Sequence, residues 1–126
     1  MARKVIYWLT TGLLAVMSAV AAFTYLSGSP QVVQAFTHVG YPQQLRIILG
    51  IAKLLGAITL LVPGFPKLKE WAYAGFTFAW ISAHIAHHLA HDGAEQYGPL
   101  ILLALLAVSY WTRPASRQWP PKTVTQ

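Results

Sequence analysis

Residues 5–26 read VIYWLTTGLLAVMSAVAAFTYL, an unbroken run without a charged side chain. At 1.5 Å per residue, a helix of that length crosses a hydrocarbon core of about 30 Å. Arg3 and Lys4 precede the run, and small residues lie near Ala19-Val20-Ala21, so a signal peptide is the competing reading. The run is longer than a usual signal-peptide core. Tyr7 and Trp8 read as interfacial anchors, which favours a span.

Three further apolar segments follow. The second runs over about residues 43–62, apolar except for Arg46 near its start and Lys53 near its middle, and Pro63-Gly64-Phe65-Pro66 stops it. The third covers about 70–90 and ends at Asp92-Gly93. The fourth covers about 96–112, tolerates Pro99 in its first turn, and contains LILLALLAVSYW, the most apolar stretch of the chain. Between the first two lies a short amphipathic stretch, about 30–40, with Val32, Val33, Phe36 and Val39 at helical spacing. It is expected at the membrane surface. Residues 1–114 are thus expected to form one membrane domain. Residues 115–126 are expected to be a disordered cytoplasmic tail.

Composition agrees. Hydrophobic residues make up 56% of the 126 and charged residues only 10%, with a mean hydropathy of +0.48. Ordinary soluble domains are about 25% charged. The absence of cysteine excludes thiol redox chemistry, cysteine-held metal and disulfides. Open strands cannot cross lipid and four segments cannot close a barrel, so the expected fold is all-α: an integral membrane antiparallel four-helix bundle.

Charge placement orients that bundle. Four spans put the N-terminus, the link between spans two and three and the C-terminal tail on one side. Those segments hold Arg3, Lys4, Lys67, Lys69, Arg113, Arg117 and Lys122, seven of the nine basic residues. The positive-inside rule then places both termini in the cytoplasm. Asp92 and Glu95 fall on the other side. The net charge of +6 marks orientation, and nucleic-acid binding has no further support.

Two polar features resist burial in lipid. Lys53 lies near mid-span, where a charged group costs at least about 2.5 kcal/mol unless it snorkels or faces protein. Gly50 and Gly56 flank it on broadly the same face and would let another helix approach closely. The second feature is His84-Ile85-Ala86-His87-His88-Leu89-Ala90-His91, whose four histidines share one helical arc. Tyr73, Thr77 and Trp80 extend this stripe. Gly75, Ala79 and Ala83 occupy the opposite side, where they suit close packing. Imidazoles at i, i+3, i+4 and i+7 can hold zinc, copper or haem iron, which makes His84, His87, His88 and His91 candidate metal ligands. Imidazoles engaged in interfacial hydrogen bonding, or in proton relay, are the other readings. Asp92 and Glu95 are placed to orient His91. Lys53 with Tyr73, Thr77, Trp80, His84 and His87 would line a polar cavity able to bind or carry a small molecule.

The order of motifs resembles the DoxX-like family of small four-span bacterial membrane proteins. The matching pieces are Tyr7-Trp8 with Thr11, Phe36 with Gly40-Tyr41-Pro42, Leu49-Gly50 with Lys53-Leu54-Leu55-Gly56, Lys69-Glu70-Trp71-Ala72-Tyr73-Ala74-Gly75-Phe76, His87, and Ser109-Tyr110-Trp111 with Arg113-Pro114. The resemblance implies a bacterial inner-membrane protein with cytoplasmic termini. The family takes its name from a subunit associated with thiosulfate:quinone oxidoreduction. The resemblance therefore implies an accessory or assembly component of a quinone-linked redox system, alone in the bilayer, as a homo-oligomer or beside a membrane-protein partner. Relatives often carry an acidic residue in the third span where this chain has Ala79, which leaves Lys53 without that partner. A metal ion, haem or quinone is the cofactor class these readings admit.

Overall fold

The computed structural model describes residues 2–114, 117 and 118, with Glu95 described by its backbone only. Among them are five α-helices and no strand: α1 (Ala2–Ser27), α2 (Pro30–Val39), α3 (Gln43–Leu61), α4 (Pro66–Leu89) and α5 (Gly98–Trp111). A 3₁₀ turn, Ala94–Tyr97, leads into α5. The expected disordered tail lies outside the described residues apart from Arg117 and Gln118, which are both buried.

Prolines and left-handed residues set the boundaries. Pro30, Pro66 and Pro99 sit in the first turns of α2, α4 and α5, where a missing N–H costs no helical bond. Gly40, at φ 83°, ends α2, and the Tyr41 N–H returns to the Phe36 carbonyl. At the end of α4 the left-handed residue is His91, at φ 61°, and not Gly93. The Asp92 N–H bonds back to the His87 carbonyl there. α4 therefore stops at Leu89, and His91 leaves the helical stripe on which its spacing had placed it.

The four longer helices close a ring: α1 packs on α3, α3 on α4, α4 on α5, and α5 back on α1, while α2 lies across one end against α1, α3 and α4. Leu14, Leu60, Tyr73, Phe76, Trp80 and Leu106 form the core. Two glycines let α3 approach its neighbours. A Cβ on Gly50 would sit 2.9 Å from Leu26, on α1, and a Cβ on Gly56 would sit 2.6 Å from the Phe76 ring, on α4. Gly75, the first of the small series on α4, does not pack in this way. Gly75 is exposed, with nothing within 4 Å of where its Cβ would be.

The outside of the ring is apolar. Leu9, Phe23, Trp71, Phe78, Leu89, Ile101 and Trp111 are all well exposed, whereas Thr11, Ser18, Lys69 and Ser109 are buried. Contiguous exposed apolar surface on this scale is not stable against water. α1 and α3 are long and apolar enough to cross a bilayer. α5 is apolar but has 14 residues, and α4 carries the polar stripe.

The two glycine environments give a paired test. Gly56→Ala should destabilise the protein by about 1–3 kcal/mol through overpacking against Phe76. Gly75→Ala should leave stability unchanged or raise it by up to about 1 kcal/mol through helix propensity. Thermal unfolding in a mild detergent checks both, and equal effects would contradict the packing.

Candidate functional site

The polar side chains gather at the two ends of the ring. At the first end, Ser109 of α5 joins three helices: its hydroxyl lies 2.6 Å from Thr11 Oγ1 on α1 and 2.7 Å from Tyr73 Oη on α4. All three groups are buried, so each hydroxyl satisfies another where water cannot. Beside them, Glu70 accepts a hydrogen bond from Tyr110 Oη at 3.1 Å and pairs with Arg113 Nη1 at 3.1 Å. The Arg113 guanidinium lies 3.7 Å from the Tyr110 ring centroid. Arg117 stacks 4.7 Å from the Trp8 ring and donates to the carbonyls of Leu61 and Val62, the last acceptors of α3. Lys69 donates to the carbonyls of Val62 and Gly64. Burial, and then the neighbouring Arg117 guanidinium, lower the Lys69 ammonium to about 8. Arg3 reaches the Trp111 carbonyl at the same end.

This network absorbs much of the family-like pattern. Thr11 from the first motif, Glu70 and Tyr73 from the fourth, and Ser109, Tyr110 and Arg113 from the last are contact partners. The sequence marks these residues as a pattern, with Arg113 also among the orienting charges, and offers Tyr73 alone among them as a site residue. The available signal was the recurrence of hydroxyl and aromatic types at one end of three apolar runs.

The histidines occupy the second end. His84 Nδ1 donates to the Gln96 backbone carbonyl at 2.8 Å, and His88 Nδ1 donates to Gln96 Oε1 at 3.0 Å. Gln96 Nε2 is committed to the Gly93 carbonyl, which fixes Oε1 as the acceptor. His87 Nδ1 donates to Asp92 Oδ2 at 2.7 Å, and His38 Nε2, from α2, donates to Asp92 Oδ1 at 2.6 Å. Asp92 thus bridges two imidazoles, one from α2 and one from α4. Hydrogen bonds from His87 first, and then from His38, hold its carboxyl below the usual carboxylate range. The residue Asp92 orients is His87, not His91, because the left-handed His91 folds the chain back by one turn.

Acceptor-only partners fix the tautomers of the stripe. His84, His87 and His88 each spend Nδ1–H on an oxygen, leaving Nε2 as the lone-pair nitrogen when neutral. The rings of His84 and His88 stack, with centroids 6.2 Å apart. Among the described residues, no three His, Asp or Glu side chains converge on a point that could hold a metal ion. A metal or haem iron would have to be reached through Nε2.

The expected cavity residues separate. Tyr73 belongs to the Ser109 network, and Thr77 bonds the Tyr73 carbonyl of its own helix. His84 and His87 face the α4–α5 link. Lys53 does meet Trp80: its ammonium lies 5.8 Å from that ring centroid and 5.4 Å from Tyr25, near the end of α1. Two such contacts are worth about 0.5–2 kcal/mol each. That is comparable with the insertion cost of a mid-span charge and leaves no large surplus.

Inward-turned polar groups, outward apolar side chains and a closed helical ring define a helical membrane protein that associates with the lipid bilayer. The family comparison agrees: the model of the DoxX-like family matches residues 9–109, and the chain belongs to that family. No curated protein and no solved structure matches the chain significantly.

The Asp92 bridge carries a pH prediction. Because folding lowers the Asp92 pKa, its contribution is full above the ordinary carboxylate value of about 4 and is lost as pH falls through the lowered folded value. The difference in melting temperature between wild type and Asp92→Asn should shrink as pH falls below about 4. A difference that persists undiminished under more acidic conditions would contradict the bridge.

Proposed function

We propose that the chain is a four-span bundle of the bacterial inner membrane, with both termini in the cytoplasm, acting as an accessory or assembly component of a quinone-linked redox system. One observation carries the orientation. Arg3, Lys69, Arg113 and Arg117 meet at one end of the ring, while Asp92 and the histidines meet at the other, which Arg46, alone of the described basic residues, joins through the Tyr25 carbonyl. The positive-inside rule reads the first end as cytoplasmic.

The more polar α4 and the shorter α5 fit four spans for physical reasons. The polar stripe of α4 turns inward at Tyr73 and Trp80, and Trp71, Phe78, Ile81, Ile85 and Leu89 are left to face lipid. α5 continues the Ala94–Tyr97 turn, and the two together measure about 29 Å at the usual rises of the two helix types. α2 is the surface helix of the outer side.

The accessory role is supported by the use to which the polar groups are put. The buried hydroxyls, the Glu70–Arg113 pair and the imidazoles on Gln96 and Asp92 are spent on one another and hold the helices in register. A rigid helical ring with Trp71, Phe78 and Trp111 on its outside offers a surface to a membrane partner or a second copy.

Two measurements test this reading. A fluorescent-protein fusion to the C-terminus should glow, and alkaline phosphatase inserted after Gly40 or Gly93 should be active; the reverse pattern would overturn the orientation. Crosslinking in native membranes should join the chain to one defined redox-complex subunit, and loss of the chain should lower quinone reduction by those membranes severalfold. An unchanged rate in membranes lacking the protein would overturn the accessory role.

A further inference from the structure

We propose that Lys53 anchors a binding site for the carboxylate head of an apolar molecule, of the kind a free fatty acid presents. The argument begins with charge. Among the described residues, the carboxylates with assigned partners are committed elsewhere: Glu70 to Tyr110 and Arg113, Asp92 to His38 and His87. Among the described residues, no ion pair reaches Lys53. Its neighbours are the faces of Tyr25 and Trp80. Aromatic faces attract an ammonium but do not replace the oxygen acceptors its three N–H groups lose on leaving water. The site is therefore short of an anion.

The surroundings say what sort of anion. Lys53 lies near the middle of α3 (Gln43–Leu61), and Gly50 and Gly56, on either side of it, bring α1 and α4 against that helix. Trp80 stacks on Phe76 with centroids 4.9 Å apart, and Tyr25 is held edge-on against Phe36 of the surface helix at 5.4 Å. The ammonium thus lies beside two fixed aromatic rings, with exposed Ile51, Leu54 and Leu55 on the same helix. A ligand at this depth must carry its own apolar tail. Its head must be small enough to fit between Tyr25 and Trp80. A carboxylate on an alkyl chain meets both conditions, and it can accept two of the N–H groups that the rings leave unsatisfied. The proposal concerns binding only and stands apart from the accessory role.

The test uses the full chain in a nonionic detergent and 9,10-dibromostearate, whose bromines quench nearby tryptophan. The acid should quench part of the emission saturably, and Trp80→Phe should remove that part. The uncharged methyl ester of the same acid should bind about tenfold more weakly or worse, a loss of at least about 1.4 kcal/mol. Lys53→Met should weaken the acid to a similar extent, while Lys53→Arg should retain it. Equal affinity for acid and ester, or undiminished affinity in Lys53→Met, would overturn the proposal. If Lys53→Met does not fold, the acid–ester comparison on the wild type decides alone.

Discussion

A hydroxyl group inside a helical ring has no water to turn to, and the Ser109 hydroxyl meets that constraint by serving two others. Thr11 on α1 and Tyr73 on α4 both end on it, so three helices share one polar point. Neighbouring groups follow from this junction. Tyr73 and Tyr110 pack edge to face, Arg113 lies on Tyr110, and Glu70 compensates the guanidinium. The result is a cross-linked first end in which aromatic rings separate charges from lipid and hydrogen bonds fix how far each helix can slide. Hydrophobic burial alone would set no such register, since lipid tails and leucine are equally apolar.

The second end is tied by a different chemistry. Imidazoles, which are both donors and acceptors, meet acceptor-only oxygens on the α4–α5 link. Gln96 holds two of them and Asp92 holds two. The link is consequently drawn down onto α4, and α2 is tethered across the opening through His38. Between the two tied ends, α3 contributes least to the polar networks and relies on shape: glycine against leucine on one side and glycine against a phenyl ring on the other.

Much of this was legible in the sequence. Uncharged runs bounded by proline and glycine identify helices because few other backbones satisfy themselves in lipid. The clustering of basic residues in alternate links reflects the same end-to-end sorting found in space. Glycines at 50 and 56 announced close approach, because a missing Cβ has an obvious steric use. What the pattern could not give was anything that depended on a single φ angle. His91 is spaced for the helical stripe, yet its left-handed backbone takes it off the helix and delivers Asp92 to His87. Periodicity also gave Gly75 the look of a seam residue, yet it stands exposed, because a small residue only permits contact and does not cause it. The meeting of His38 with His87 through a shared carboxylate joins residues 49 positions apart and has no local signature.

The ring closes between its first helix and its last. During synthesis α1, α2 and α3 can associate as soon as they emerge, since their seam, apolar side chains and Gly50 with Arg46 on the Tyr25 carbonyl and Gln43 on the Val33 carbonyl, lies wholly within them. The Thr11 hydroxyl, however, has to wait for Ser109, and the terminal carbonyls of α3 have to wait for Arg117. Insertion of the nascent chain therefore passes through a partly assembled state with polar groups unpaired in the membrane, and these contacts close only once Ser109 and Arg117 have emerged. A chain cut short before residue 109 would be held in that state, a natural substrate for membrane quality control.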